Sequence, residues 1–188
     1  MTSAKDLLRR RLLAARRAVP PGVRAAEAAA LVSHLHSLPA AAIVCAYVPV
    51  GGEPGSLQLL DALLESGARV LLPVVGADAE PLCWADYQPG ELVRARFGLL
   101  EPAGPRLPPA ALVDAGLVLV PALAVDRRGA RLGRGAGFYD RSLPLRGPGV
   151  RLVAVVRDDE LLDSLPAEPH DVAMTDALTP GRGLVALG

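Results

Sequence analysis

No apolar run in this 188-residue chain reaches the roughly 18 residues that a membrane-crossing helix needs, and the N-terminus lacks the apolar core of a signal peptide. A membrane partner is therefore not expected, and the expected compartment is the cytoplasm. There are only two cysteines, Cys45 and Cys83, both in apolar strand-like segments with no Cys or His at metal-binding spacing. Neither a zinc site nor a disulfide framework is suggested, and a reducing compartment suits the two thiols. Aromatic residues make up 3% of the chain, and 20 basic residues balance 20 acidic ones. Neither a stacking platform nor a polyanion-binding surface is indicated, so nucleic acid is not an expected partner. Neither standard nucleotide loop is present: GxxxxGK[ST] does not occur, and the alternating glycines near position 135 lack the GxGxxG spacing.

What is there reads as one domain covering 1–188, large enough for a single core. Ser3 followed by Asp6 makes a capping-box-like start for a helix over 4–18, which Pro20-Pro21 stops. The Arg-rich opening, Lys5 to Arg17, has the look of a transit peptide. Asp6 within it and the helical spacing of Leu8, Leu12 and Leu13 favour a folded first helix instead. A second, alanine-rich helix spans about 22–38. Ile43 to Val50 reads as a strand, Ser56 as the cap of a helix over Leu57 to Ser66, Gly67 as its stop, and Ala68 to Val75 as the next strand. Leu82 to Tyr87 suits an edge strand, Pro102 to Pro109 a loop, and Gly116 to Ala124 and Val150 to Val156 buried strands. A short helix runs from Gly137 to Pro144, and Thr175 to Gly188 supplies a turn and a last strand. The expectation is a three-layer α/β/α domain around a mostly parallel or mixed sheet.

The strand Gly116 to Ala124 runs into Val125-Asp-Arg-Arg-Gly-Ala-Arg-Leu-Gly-Arg-Gly-Ala-Gly-Phe-Tyr-Asp140, a loop both basic and glycine-rich. Gly133, Gly135 and Gly137 let backbone N–H groups approach an anion, while Arg127, Arg128, Arg131 and Arg134 offer forked donors that match phosphate oxygens. A solvated loop whose arginines pair with nearby carboxylates is the alternative.

The string Arg131-Leu-Gly-Arg-Gly-Ala-Gly-Phe-Tyr-Asp140 resembles the R-L-G-x-G-x-G-[YF]-Y-D signature of the 5-formyltetrahydrofolate cyclo-ligase family, and other segments agree in order. Lys5 and Arg9 have the spacing of the family's first helix, and Tyr47-Val-Pro-Val-Gly-Gly-Glu53 resembles its folate-side strand and loop. Phe97-Gly-Leu-Leu-Glu-Pro102 resembles F-G-I-x-E-P, and Leu165-Pro-Ala-Glu-Pro-His-Asp171 resembles L-P-x-E-x-H-D. Two departures stand out. Pro54-Gly55 follows Glu53, with Ser56 where the family has threonine, and Glu160 replaces a common glutamine.

The resemblance implies a mixed sheet related to the sugar-phosphate isomerase and CoA-transferase superfamily. It also implies ATP-dependent conversion of 5-formyltetrahydrofolate to 5,10-methenyltetrahydrofolate through a phosphorylated formyl oxygen, by a monomer. By resemblance, Arg131 and Arg134 are catalytic, and ATP is bound by Lys5, Arg9, Arg131, Gly133, Arg134, Gly135, Gly137 and Tyr139. Val48, Glu53, Arg134 and Phe138 bind the folate, and Asp140 and Asp171 share a magnesium ion. Trp84 and Phe97 could stack on a ring of the folate, although core packing is the ordinary fate of an isolated aromatic in an apolar segment. His34 and His36 receive no role, and His170 either orients Asp171 or is an ordinary loop residue. Two alternatives stay open: an isomerase or CoA-transferase-like enzyme on the same fold, or a non-catalytic folate- or nucleotide-binding protein.

Overall fold

The structure is a computed structural model that describes residues 3–76, 80–166 and 171–188. Helix α1, Ala4–Ala18, starts where the sequence predicts: Ser3 Oγ accepts the Asp6 N–H at 3.1 Å. Its apolar stripe packs Leu12, flanked by Leu8 and Leu13, onto Leu123, Ala124, Leu132 and Leu165. Helix α2, Pro21–Ser33, begins on a proline, tolerated there because the first N–H of a helix has no partner in any case. Strand β1 is Ile43–Cys45, helix α3 Leu57–Glu65, β2 Arg69–Val74 and β3 Cys83–Asp86. Then come β4, Leu92–Arg94, β5, Leu100–Pro102, β6, Leu117–Pro121, β7, Ala124–Asp126, and β8, Arg131–Leu132. Helix α4 is Phe138–Ser142, followed by β9, Arg151–Val155, β10, Leu161–Leu162, β11, Asp176–Thr179, and β12, Gly183–Ala186. Among the described residues no helix is long and apolar enough to cross a membrane.

A seven-stranded sheet runs in the order β12-β11-β9-β6-β1-β2-β3. Its interior pairs are parallel, and only the edge pairs β11–β12 and β2–β3 are antiparallel. Side chains alternate faces along a strand, so each buried strand feeds two cores. Leu117, Leu119, Val153, Val155, Val70 and Leu72 pack against Leu31 of α2 and Leu59, Leu60 and Leu63 of α3. Val118, Val120, Leu152, Ala154, Cys45 and Leu71 pack the other way, with Trp84, Leu112 and Leu143. The three expected layers are present, but the second helical layer consists of short pieces: the 3-10 segments Pro109–Asp114 and Leu143–Leu145 around α4.

Several expectations need correction. The strand expected over 43–50 stops at Cys45, and the chain from Tyr47 onward leaves the sheet, through Pro49, to build a turn. The run 116–124 is not one strand: β6 ends at Pro121, which has no N–H for the ladder, and β7 joins β8 and β10 in a separate three-stranded sheet. The second helix ends at Ser33 and tightens into a 3-10 turn, Leu35–Ser37. Ser56 stands at the start of α3 without making a side-chain cap bond. The C-terminal segment forms two strands, β11 and β12, as an antiparallel pair rather than a turn and one strand. The β4–β5 hairpin was not foreseen.

The loop between β7 and β8 is fastened from within by Asp126, which is fully buried and accepts the Arg128, Ala130 and Leu165 N–H groups at 2.9 Å each. Gly129 completes it at φ +85°, its carbonyl accepting the Met174 N–H at 2.8 Å, and a Cβ there would run into the Met174 carbonyl. Gly149 has a similar φ, +75°, with open space where a Cβ would stand. Gly149→Ala should therefore cost about 1 kcal/mol, from the left-handed backbone alone. Gly129→Ala should cost roughly 2 kcal/mol or more beyond that, because backbone must move. Equal losses in denaturant unfolding would contradict this account of the loop.

Candidate functional site

The parallel strands β1, β2 and β6 end on the same side of the sheet, where α/β folds expose functional groups. A cavity of about 820 Å³ opens there. Its walls are the turn after β1 (Tyr47 to Glu53), the β6–β7 crossing (Pro121 to Leu123), the glycine loop from Arg131 to Arg141, and the tip of the β4–β5 hairpin.

On the β1 side, Glu53 turns back on its own loop. Its Oε2 accepts the Val50 N–H at 3.0 Å, and its Oε1 lies 3.1 Å from Arg134 Nε. Arg134 also donates to the Val50 carbonyl at 3.2 Å, so one guanidinium joins the two loops across the cavity. Burial raises the Glu53 carboxyl above its usual range, and the Val50 N–H, Arg134 and Arg16 oppose that rise. Beneath it, Tyr47 donates its hydroxyl to the Pro54 carbonyl at 2.8 Å.

On the glycine-loop side, Arg131 is nearly enclosed, with 7% of its side chain exposed, and is paired with Asp140. Its guanidinium lies 5.8 Å from the Tyr139 ring centroid, within cation–π range. Burial lowers the Arg131 pKa, while the charges of Asp140 and Asp171 and the Tyr139 ring pull it back up. The loop itself relies on left-handed backbone at Gly135 and Gly137, at φ +100° and +73°. Helix α1 is docked against it: Arg9 donates Nε to the Gly133 carbonyl at 3.1 Å and Nη1 to Asp6 at 2.7 Å. Lys5 lies 3.6 Å from Asp171. Cys45 is no nucleophile, since burial pushes its thiol up to about 12.

Ten of the residues singled out from the sequence line the cavity: Val48, Glu53, Arg131, Gly133, Arg134, Gly135, Gly137, Phe138, Tyr139 and Asp140. Lys5, Arg9 and Asp171 do not line it; Arg9 connects α1 to the glycine loop, and Lys5 connects α1 to Asp171 in the C-terminal segment. Arg127 and Arg128 do not reach it either. Arg127 pairs with Asp163 at 3.1 Å and Arg128 lies 3.9 Å from Asp126, so the phosphate role read for these two from composition is not supported by their position. Trp84 is a core residue, 1% exposed, as expected of an isolated aromatic. Phe97 is the opposite case: it is 69% exposed, sits at φ +60°, and contributes to the cavity rim. His170 lies outside the described residues. Sequence reasoning missed Arg16, which lines the cavity from α1 and carried no signal among so many arginines.

Asp140 and Asp171 were expected to share a magnesium ion. Each now has a cationic neighbour, Arg131 and Lys5 respectively, and both act on the Arg131 guanidinium. Among the described residues no group of three or more His, Cys, Asp or Glu side chains comes together. Asp140 and Asp171 offer hard-oxygen donors of the kind taken by an ion that brings phosphate and water ligands with it, and two carboxylates do not make a cage closed by protein alone.

The sequence model of the 5-formyltetrahydrofolate cyclo-ligase family matches residues 1–180. A 5-formyltetrahydrofolate cyclo-ligase of Mycolicibacterium smegmatis is 60% identical over 189 residues, covering 98% of this chain and 97% of its own. One from Escherichia coli K12 is 32% identical over 142 residues, covering 74% and 78%. The solution structure of the 5,10-methenyltetrahydrofolate synthetase of Aquifex aeolicus superimposes with a TM-score of 0.80 at 27% identity, over 98% of this chain and 93% of its own. The synthetase of Mycoplasma pneumoniae, at 21% identity and a TM-score of 0.71, covers 92% of this chain and 96% of its own and shares the fold.

The two tyrosines of the cavity should respond differently to loss of the hydroxyl. Tyr139 Oη is buried with no hydrogen-bond partner among the described residues, whereas Tyr47 Oη is bonded. Tyr47→Phe should lower the unfolding free energy by about 1 kcal/mol, and Tyr139→Phe should leave it unchanged or slightly raised. The reverse order in chemical denaturation would mean that the hydroxyl environments are misassigned.

Proposed function

The chain belongs to the 5-formyltetrahydrofolate cyclo-ligase family, and from that premise we propose that it converts 5-formyltetrahydrofolate and ATP to 5,10-methenyltetrahydrofolate, ADP and phosphate. The formyl oxygen is a poor leaving group. Transfer of the terminal phosphoryl group to it makes an imino-phosphate, the N10 amine attacks the formyl carbon, and phosphate departs with that oxygen. Little covalent chemistry is left to the protein, which must align the two substrates and neutralise charge on the phosphoryl group in transfer.

One observation carries this reading: the Glu53 turn and the Arg131–Arg134 loop face each other across a single cavity, joined by the Arg134–Glu53 pair. Both substrates therefore have a place within reach of each other. Arg131 and Arg134, with the backbone N–H groups of Gly133, Gly135 and Gly137, take the phosphates and stabilise the charge that shifts during transfer. Arg9 and Lys5 act from behind, Arg9 by holding the loop through the Gly133 carbonyl. Tyr139 closes the nucleotide side.

The folate lies along Val48, Glu53 and Phe138, with the Glu53 carboxylate accepting pterin N–H groups. Phe97 at the rim adds an apolar face for the aromatic part of the folate. Asp140 and Asp171 would hold magnesium that arrives with ATP, and the ion would supply further neutralisation of the phosphates. The reading takes residues 1–188 as a single domain acting as a monomer in the cytoplasm. Length supports the single domain.

Purified protein mixed with 5-formyltetrahydrofolate and Mg-ATP should generate the near-ultraviolet absorbance of the methenyl product, and omission of ATP should abolish it. Arg131→Ala and Arg134→Ala should each lose about 1.5–3 kcal/mol in kcat/KM for ATP, the scale of a charge-assisted hydrogen bond, while remaining folded. Absence of any absorbance change with folded wild-type protein would refute the reaction. Unaltered kinetics in both alanine variants would reduce the loop to structure.

A further inference from the structure

Helix α1 carries Arg9, Arg10, Arg11, Arg16 and Arg17, and of these Arg16 is the buried one, at 2% exposure. Its Nε and Nη2 donate to the two Glu160 oxygens at 2.6 and 2.7 Å, and Nη2 also donates to the Ala122 carbonyl at 2.5 Å. Glu160 is equally buried and accepts the Arg157 N–H at 2.8 Å, so its carboxylate cannot swing away. The same arginine touches the folate-side turn through its main chain. A Cβ on Gly52 would stand 3.0 Å from Arg16 Cβ and 3.3 Å from its carbonyl oxygen, so a larger residue there would push the turn and α1 apart by a few tenths of an ångström. Arg16 and Ala122 both line the main cavity, and Arg16 Nη1 is buried with no hydrogen-bond partner among the described residues.

We propose that Arg16 is a positioning residue for the folate half of the site: a buried cation, locked by Glu160 and the Ala122 carbonyl against the Gly52–Glu53 turn, that holds Glu53 in place to accept the N–H donors of a pterin. The proposal rests on the cyclo-ligase reading of the cavity. Glu53 is faced by Arg134 from the glycine loop, by Arg16 from α1, by the Val50 N–H of its own turn, and by Tyr47 and Tyr139 from the ends of β1 and α4. Arg134 is 42% exposed and belongs to the loop that takes phosphate, so ATP competes for it. Arg16 is enclosed and keeps its place, so it remains as countercharge when Arg134 turns to the nucleotide. Arg16 acts on Glu53 more strongly than Glu160 does, so the cation outweighs its partner there.

The two partners of this ion pair should therefore move folate binding in opposite directions along the pH axis. Glu53 accepts N–H donors on both oxygens, as charge-assisted bonds, only when deprotonated, so affinity falls as pH drops through its pKa. Taking away the Arg16 cation raises that pKa, and taking away the Glu160 anion lowers it. The test is calorimetric binding of 5-formyltetrahydrofolate without ATP, across a pH series.

Arg16→Met alone strands a buried carboxylate and threatens folding, so the double variant Arg16→Met/Glu160→Gln is the one to measure. Its acid limb should move to higher pH by roughly half a unit or more, Glu160→Gln should move it to lower pH, and Arg16→Lys should stay near wild type. A merely structural pair would weaken stability in every variant and leave the limb in place. Shifts in one direction, or no shift in folded variants, would overturn the assignment. Wild-type protein that binds the folate but never converts it would refute the proposed reaction while the pH series still decides the role of Arg16; wild-type protein that does not bind it refutes both.

Discussion

The ion pair between Arg134 and Glu53 is the constraint around which the site is organised. Its two residues come from loops 81 positions apart in the chain, and the same guanidinium holds the Val50 carbonyl, so the cavity walls are tied at one point. In the proposed reaction each partner is also the group that a different substrate needs: phosphate would compete with Glu53 for Arg134, and a pterin would compete with Arg134 for Glu53. The pair thus couples the two halves of the site. On that proposal, whichever substrate comes first would release the residue that the other will use, and linkage requires the effect to be mutual. A carboxylate as buried as Glu53 cannot be left without donors cheaply, which keeps its loop closed on Arg134 or on a ligand.

The sheet makes this arrangement possible. Parallel strands β1, β2 and β6 carry their chains out at the same end, and two cores on opposite faces hold those ends rigid. Prolines mark the exits. Pro121 ends β6 and Pro49 sits in the turn after β1, so the backbone leaves the ladder where the cavity needs walls. Glu101 contributes from the β4–β5 hairpin, accepting the Val75 N–H at 2.8 Å and so fixing the hairpin to the end of β2. Helix α1 closes the assembly twice, by Arg9 on the glycine loop and by Arg16 on the Glu53 turn.

Much of this was legible before any coordinates. The Ser3–Asp6 cap, the existence of the central apolar strands and the loop of alternating glycines each have a local physical cause and are visible in the sequence, although two of the strands end earlier than their apolar runs. What failed was non-local. The break at Pro121 to Leu123 looks like continuous apolar strand, because its new partners β8 and β10 lie further along the chain. The β4–β5 hairpin is half-exposed on β4, so its pattern is weak. Arg127 and Arg128 share composition with Arg131 and Arg134 but face outward, a distinction set by the Asp126-centred turn. Arg16 is indistinguishable from a surface arginine in the sequence, since its partner Glu160 is 144 residues away. The one hint was Glu160 itself, a carboxylate where the resemblance leads one to expect glutamine.

The coupling through Arg134 and Glu53 is tested most directly by measuring how Glu53→Gln binds a non-hydrolysable ATP analogue in the absence of folate. With its competitor neutralised, Arg134 is free for phosphate, so the variant should bind the analogue several-fold tighter than wild type, on the order of 1 kcal/mol. The same variant should bind 5-formyltetrahydrofolate more weakly. Unchanged or weaker nucleotide binding by folded Glu53→Gln would contradict the account, because it would mean that the ion pair does not stand between the two substrates.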